Sequence, residues 1–347
     1  MWFEAHHKAL GRGNMRLWMI TNHYAKKHIF FLATILLTTT ASAWNYDAHV
    51  LIGQIAYDNL SPKLQKIVDA DAKALLEHFP EQATAEINKY YPDPKISSFA
   101  KTMVLADQFK MLKVFKRTPL IKILLTLNIA PPKALQPYLQ ETTSSWHFFD
   151  VLVSTNTAIF QCHFIIPQRS VLWAIDLLER AAREHNSPDQ QGLIFALLGH
   201  FVGDAHQPLH LLNSFDKNCQ GDLGGNTFCL KPLSSDGYCK KSLHALWDEA
   251  LGYTAYDRIS KTPIPILAKE LEKEFPLSSM IISVNQLNTK DWPVESMQYA
   301  PFIYNTPPGL DPSEDYYRTG RLIAKQKITL AGYRLAKIIE ALLVSRH

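Results

Sequence analysis

The segment Leu197–His210, LLGHFVGDAHQPLH, places His200 and Asp204 four residues apart, so on a helix both side chains leave one face. Pro208 stands just before His210 and ends or kinks the helix there, which can swing His210 away from the His200/Asp204 face. One short segment could then serve two metal positions. A second pair, His244 and Asp248 in LHALWDEAL, repeats the spacing. Imidazole and carboxylate without thiolate form a ligand set suited to zinc in a hydrolytic site. A lone His/Asp pair would read as an ordinary helix-surface contact. Two pairs, a third histidine and the adjoining glycine-rich DLGGN point instead to a metal site.

Helices must position these groups. Asp47 is expected to cap a helix starting near His49, backed by Leu51, Ile52, Ile55 and Leu60. Ser61-Pro62 caps and opens a second helix to about His78. Residues 88–94, with two prolines and two tyrosines, read as loop. Helical spacing returns over Ser98–Phe115, which contains Asp107 and Lys110 in LADQFK. Between Pro119 and Pro132 the run LIKILLTLNIA reads first as a buried helix, and second as a lid or a hairpin able to touch a membrane. Further helices are expected over about 167–185 and from Asp189 through the opening motif. Asn213–Lys241 is rich in Gly, Asp, Asn, Ser and Cys and reads as a short irregular or hairpin excursion. Helical patterns resume at Ser242. Over Tyr316–Leu343, the residues Leu322, Leu330, Leu335, Ile338, Ile339 and Leu342 form an apolar stripe. No repeat or linker interrupts the pattern, so the expected fold is one all-α domain. His206 falls off the His200/Asp204 face and reads as structural, as do His78, His163 and His185. Asp222 is expected to brace the glycine turn.

The chain has 347 residues and 47% apolar content, enough for a sizeable core. Its formal charge of +4 is concentrated in residues 1–43, which hold five of the 36 Lys/Arg and one of the 32 Asp/Glu. The remainder carries 31 of each sign, so overall charge does not predict tight polyanion binding. Any phosphate affinity must be local. Lys26 and Lys27 precede the apolar run Ile29–Leu37, and Ala41-Ser42-Ala43 fits a small-residue cleavage pattern. The run is about half the ~20 residues that span a bilayer. Residues 1–43 are therefore expected to be a signal peptide, removed between Ala43 and Trp44, with 44–347 exported to the periplasm or outside the cell. Four cysteines remain, Cys162, Cys219, Cys229 and Cys239. An exported protein favours disulfides, and one or two bridges bracing the 213–241 loop are expected, with their pairing open.

Trp44 followed five positions later by His49, then LADQFK, WHFFD, GHFVGDAHQPLH, DLGGN and LHALWD, resembles the S1/P1 nuclease family. The later WPVES (Trp292–Ser296) and AGYRLA (Ala331–Ala336) follow in the family's order. The resemblance implies a mostly helical domain of the S1/P1 nuclease and phospholipase C type, holding three zinc ions. It assigns one zinc to Asp107, His147, His200 and Asp204, and a second to His210, His244 and Asp248. The third would take the free amine and carbonyl of Trp44, with His49 and a bridging Asp204. A peptide-bonded nitrogen is a poor donor, so export processing would complete that site. The resemblance also implies a catalytic pair, Asp107 orienting or deprotonating the attacking water and Lys110 stabilising developing charge. Lys110 stands where the family usually has Arg, a point charge in place of a planar fork. Phe148, Asp150, Gly224 and Asn226 would bind substrate, Phe148 by stacking on a base.

The expected activity is zinc-dependent cleavage of single-stranded RNA and DNA to 5′-nucleotides, with 3′-nucleotidase activity. Zinc lowers the pKa of bound water to about 7, and neighbouring ions clamp the attacking and leaving oxygens. The alternative is a zinc-dependent phospholipase C, kept in play by a possible membrane contact through 119–132. A non-enzymatic zinc protein is the third reading. No obligate protein partner is evident.

Overall fold

The computed structural model describes residues 44–107, 119–153, 168–216, 218–231, 239–255 and 261–344. Helix α1 (Tyr46–Asp58) begins three residues earlier than expected, because Asn45 is its cap and accepts from the Ala48 N–H at 3.0 Å. Asp47 lies instead in the first turn, where a carboxylate suits the helix dipole, and accepts from the Tyr91 hydroxyl at 2.9 Å. Every residue from Ala48 to Ala56 is buried, so α1 runs through the interior rather than along a face. Helix α2 (Pro62–Leu76) starts as expected at Ser61-Pro62. Helix α3 (Glu81–Tyr90) extends into the stretch that reads as loop, which begins only at Tyr91. Helix α4 (Ser98–Thr102) is capped by Ser97 and leads to Asp107. Lys110 lies outside the described residues.

Helix α5 (Leu120–Thr126) is the apolar insertion, a helix as expected but buried on one face only, with Lys122, Leu125 and Thr126 exposed. Leu120, Ile123, Leu124, Leu127 and Ile129 face the core, while Leu125 is exposed. The apolar content that suggested a membrane contact is turned inward. Among the described residues no helix is long and apolar enough to cross a membrane. Two 3₁₀ turns follow, Lys133–Tyr138 and Thr143–His147, and the second carries Trp146 and His147 into the interior.

Strand β1 (Val151–Val153) precedes α6 (Val171–Ala182) and α7 (Pro188–Asp204). Gln190 accepts from the Ser187 N–H at 3.0 Å and fixes the start of α7. Pro208 opens a further short helix, α8 (Pro208–Leu211), so the chain stops at Asp204 and restarts in a new direction. Strand β2 (Leu212–Ser214) then pairs with β1 in parallel, Val151 beside Leu212 and Leu152 beside Asn213. No local sequence pattern signals this pairing, since it joins segments about 60 residues apart. Beyond β2, isolated antiparallel bridges link Phe215 to Gly221 and Cys229 to Ser242. A Cys229–Cys239 disulfide closes the excursion and Cys219 is also disulfide-bonded, whereas Cys162 lies outside the described residues.

Helix α9 (Leu243–Asp248), capped by Ser242, is followed by α10 (Ile264–Glu274), α11 (Leu277–Val284), α12 (Trp292–Met297), α13 (Ala300–Ile303) and α14 (Glu314–Val344). Helix α7 packs against α2 and α6, and α1 against α4, α10 and α14. The α14 stripe holds for Leu330, Leu335, Ile338, Ile339 and Leu342 but not for Leu322, which is 50% exposed. At 31 residues α14 is roughly 46 Å long, and its first turns bury only Tyr316 and Gly320, with Leu322 on the exposed side.

Candidate metal centre

The centre is assembled where α7, α8, α9 and the second 3₁₀ turn converge on α1. His49, His200 and Asp204 are fully buried, and Asp107, His147, His210, His244 and Asp248 are each at most 5% exposed. Three groups bring donor atoms within 4.8 Å of one another: His49/His200/Asp204, Asp107/His147/His200, and His210/His244/Asp248. Every histidine and carboxylate expected as a ligand falls in one of these groups. The two i, i+4 pairs close as helix geometry requires, His200 Nε2 to Asp204 Oδ2 at 3.4 Å and His244 Nε2 to Asp248 Oδ2 at 3.3 Å.

Backbone carbonyls set the imidazole tautomers. Nδ1 of His200 donates to Met103 O at 2.8 Å, Nδ1 of His210 to His147 O at 2.6 Å, and Nδ1 of His244 to Gly224 O at 2.7 Å. A carbonyl only accepts, so each Nδ1 carries the proton and each Nε2 keeps its lone pair. Those Nε2 atoms face carboxylates: His200 lies 3.8 Å from Asp107 Oδ1, and His210 lies 3.8 Å from Asp248 Oδ1. Outer hydrogen bonds that orient histidines in this way are characteristic of metal ligands.

Asp204 stands between the groups. Its Oδ2 accepts from His147 Nδ1 at 2.8 Å, while Oδ1 lies 3.4 Å from His49 Nε2 and 3.9 Å from His210 Nδ1. Burial alone would raise this carboxyl, but His200, His210 and the bond from His147 outweigh it and hold it well below the carboxylate range. His49 stacks on His200 with centroids 3.9 Å apart. Burial, and then the neighbouring His200, push its pKa down to about 4 against the pull of Asp204 and Asp107. Neither ring nitrogen of His49 makes a hydrogen bond, nor does Asp204 Oδ1. Buried polar atoms are paired almost everywhere in proteins, and a cation between His49 Nε2 and Asp204 Oδ1, which lie 3.4 Å apart, satisfies that nitrogen and that oxygen together. The residues fit a divalent metal of the zinc type.

Trp44 is seated at the same place. Its indole Nε1 donates to Gly203 O at 2.9 Å, and the next N–H, of Asn45, donates to Asp248 O at 3.0 Å. The start of the described chain is thus tied to the ends of both ligand-bearing helices. Asn45 stands where the family usually has Gly, whereas Gln207 carries no signal in the sequence. Gln207 Nε2 donates to Asp248 Oδ1 at 2.7 Å and orients that carboxylate. It lies inside the opening motif, but its reach of 41 residues to Asp248 has no local signature.

Around this centre lie the four residues expected at the substrate. Phe148 and Asp150 are half-buried, and the Phe149 N–H between them donates to His210 O at 2.7 Å. Gly224 is buried at φ +64°, and a Cβ there would fall 2.3 Å from Leu209 O, so only glycine fits. Asn226 is half-buried and its amide donates to Leu223 O at 2.8 Å. Asp222 does brace the turn, accepting from the Ser214 N–H at 3.0 Å. His206 is away from the centre, bonded to Val202 O at 2.7 Å and to Arg334 Nη1 at 2.9 Å.

A family model described as S1/P1 Nuclease matches residues 44–344. Endonuclease 4 of Arabidopsis thaliana is 29% identical over 159 residues, 43% of this chain and 50% of its own length. Endonuclease 1 of the same plant is 30% identical over 168 residues, 45% and 51% of the two chains. In these matches the chain spans about half the length of the curated relatives.

Proposed function

The chain belongs to the S1/P1 nuclease family, and from that membership we propose a zinc-dependent nuclease that cleaves single-stranded RNA and DNA to 5′-nucleotides and dephosphorylates 3′-nucleotides. The observation that carries this reading is Asp204, a fully buried carboxylate within 3.9 Å of four imidazoles drawn from separate ligand groups. Three zinc ions, when bound, supply activated water and the positive charge that a neutral protein lacks for phosphate.

The chain's own residues do the rest. Asp107, buried beside His200, orients the attacking water and takes up its proton. Phe148 offers a ring face to a base, and Asp150 and Asn226 offer hydrogen bonds to its edge. A duplex hides those faces and edges, so single strands and nucleotide ends are the substrates. Lys110, three residues after Asp107, stabilises charge developing on the phosphate. Removal of residues 1–43 on export frees the Trp44 amine, which joins His49 and Asp204 to complete the third ligand set.

The test compares phosphate release from 3′-AMP with head-group release from phosphatidylcholine vesicles by the zinc-loaded protein. Release from 3′-AMP alone is expected. Head-group release without 3′-AMP hydrolysis would replace this reading with a phospholipase C.

A further inference from the structure

Asn213 lies on β2 directly beside Leu152 of β1, and its amide Nδ2 donates to Asp150 Oδ1 at 3.1 Å. Only 5% of Asn213 is exposed, and its Oδ1 is buried without a hydrogen-bond partner. The fit around it is close: a Cβ on Gly221 would fall 2.8 Å from Asn213 Oδ1. The next residue, Ser214, donates its N–H to the Asp222 carboxylate at 3.0 Å and accepts from the Asp222 N–H at 2.8 Å, and Asp222 precedes Leu223 and the two glycines of the DLGGN turn. Strand β2 therefore joins the two halves of the base site, Phe148/Asp150 on one side and Gly224/Asn226 on the other.

We propose that Asn213 is a specificity-determining residue, which holds Asp150 as an oriented, ionised acceptor and so makes the pocket select guanine. This rests on the base-site role proposed for Asp150. Burial pushes the Asp150 carboxyl up and Asp222 adds to that, while the bond from Asn213 is the influence that opposes them. With Oδ1 engaged by Asn213, Asp150 still presents acceptor lone pairs and no donor. Guanine offers adjacent N1–H and N2–H donors to such a carboxylate. Adenine and cytosine offer one amino donor beside an acceptor nitrogen. Uracil and thymine flank their single N–H with two carbonyl oxygens, which repel it. The order of affinity follows as guanine, then adenine and cytosine, then uracil. Without Asn213 the carboxyl is free to turn and to protonate, and a protonated carboxyl no longer distinguishes these edges.

The experiment measures KM and kcat for 3′-GMP and 3′-UMP with the wild-type protein, Asn213→Leu, Asn213→Asp and Asp150→Asn. The wild type is expected to favour 3′-GMP. Asn213→Leu should raise KM for 3′-GMP about tenfold, the loss expected of one hydrogen bond to a charged group, and move KM for 3′-UMP far less. Asn213→Asp keeps the side-chain size, sets a second carboxyl against Asp150, and should flatten the preference in the same way, so a misfolded Leu variant does not decide the matter. A preference lost in Asp150→Asn but kept in both folded Asn213 variants would overturn the role of Asn213. Equal KM values for both nucleotides in the wild type and in Asp150→Asn would overturn the base-site reading itself.

Discussion

Asp204 concentrates the chemistry of the centre in one side chain. Its two oxygens face His49 and His210 on one side and His147 and His200 on the other. Asp204→Asn keeps the shape but halves the acceptor capacity and removes the charge, so the variant should lose nearly all activity together with bound zinc. Turnover and metal content measured on one sample check this. Phe148 is a different case, because a stacking face binds ground state and transition state alike. Phe148→Ala should raise KM by roughly tenfold, with a smaller fall in kcat, as the loss of one stacked base implies. Steady-state kinetics on a short single strand decide it, and an unchanged KM would remove Phe148 from the base site. Legibility at this scale followed the range of each interaction. His200/Asp204 and His244/Asp248 are readable because helix period alone fixes them. Asp107 and His147 came only through the family resemblance, because no local spacing ties them to His200. Asn213 and Gln207 act across 63 and 41 residues and had no signal. Asn and Asp are both good caps, so the local sequence does not separate Asn45 from Asp47; in the fold Asn45 caps while Asp47 is engaged by the Tyr91 hydroxyl.

Helix α7 is the element on which the centre hangs, and its glycines show how tightly it is fitted. A Cβ on Gly203 would lie 2.9 Å from His49 Nδ1 and 3.1 Å from its Cε1. By helix propensity alone Gly→Ala gains ~1 kcal/mol. Here the added methyl has to displace a ligand, so Gly203→Ala should bind zinc more weakly, with the loss centred on the His49/Asp204 group. Competition with a chelator would show it, and wild-type zinc affinity would mean that His49 has room to move. The helix as such was readable, expected from Asp189 through the opening motif and found one residue earlier, from Pro188. Its stop at Asp204 and restart at Pro208 were half-readable: proline forecast the break, but not that a new helix would carry His210 back towards His147 O. The β1/β2 pair was not readable, because three-residue strands carry too little pattern and their register depends on where α7 and α8 deliver the chain.

At the scale of the molecule, the back of α7 is anchored by buried charge. Arg334, fully buried, pairs with Glu295, donates to Ser283 O at 2.8 Å and meets His206 at 2.9 Å. Burial, then the charges of Arg334 and Lys327, hold His206 well below its usual 6.5. The unfolded chain therefore binds a proton at His206 before the folded chain does. The contribution is fully present above about pH 6.5 and is lost as pH falls below it towards the depressed folded value. Thermal melts of chelated wild-type protein should fall more steeply between pH 7 and pH 5 than those of His206→Gln, which keeps one donor and one acceptor. Parallel slopes would show that His206 is not held neutral. The N-terminal seat of Trp44 is the other feature of this scale. Protein carrying extra residues before Trp44 should bind less zinc than protein beginning there, and equal loading by metal analysis would exclude the terminal amine as a ligand.

The most direct measurement is nucleotide release from denatured DNA by protein beginning at Trp44, with zinc counted on the same sample. Three zinc ions per chain, release abolished by a chelator, and release restored by zinc are expected. Full release from the metal-stripped protein, or none from a fully loaded one, would contradict a zinc-dependent nuclease.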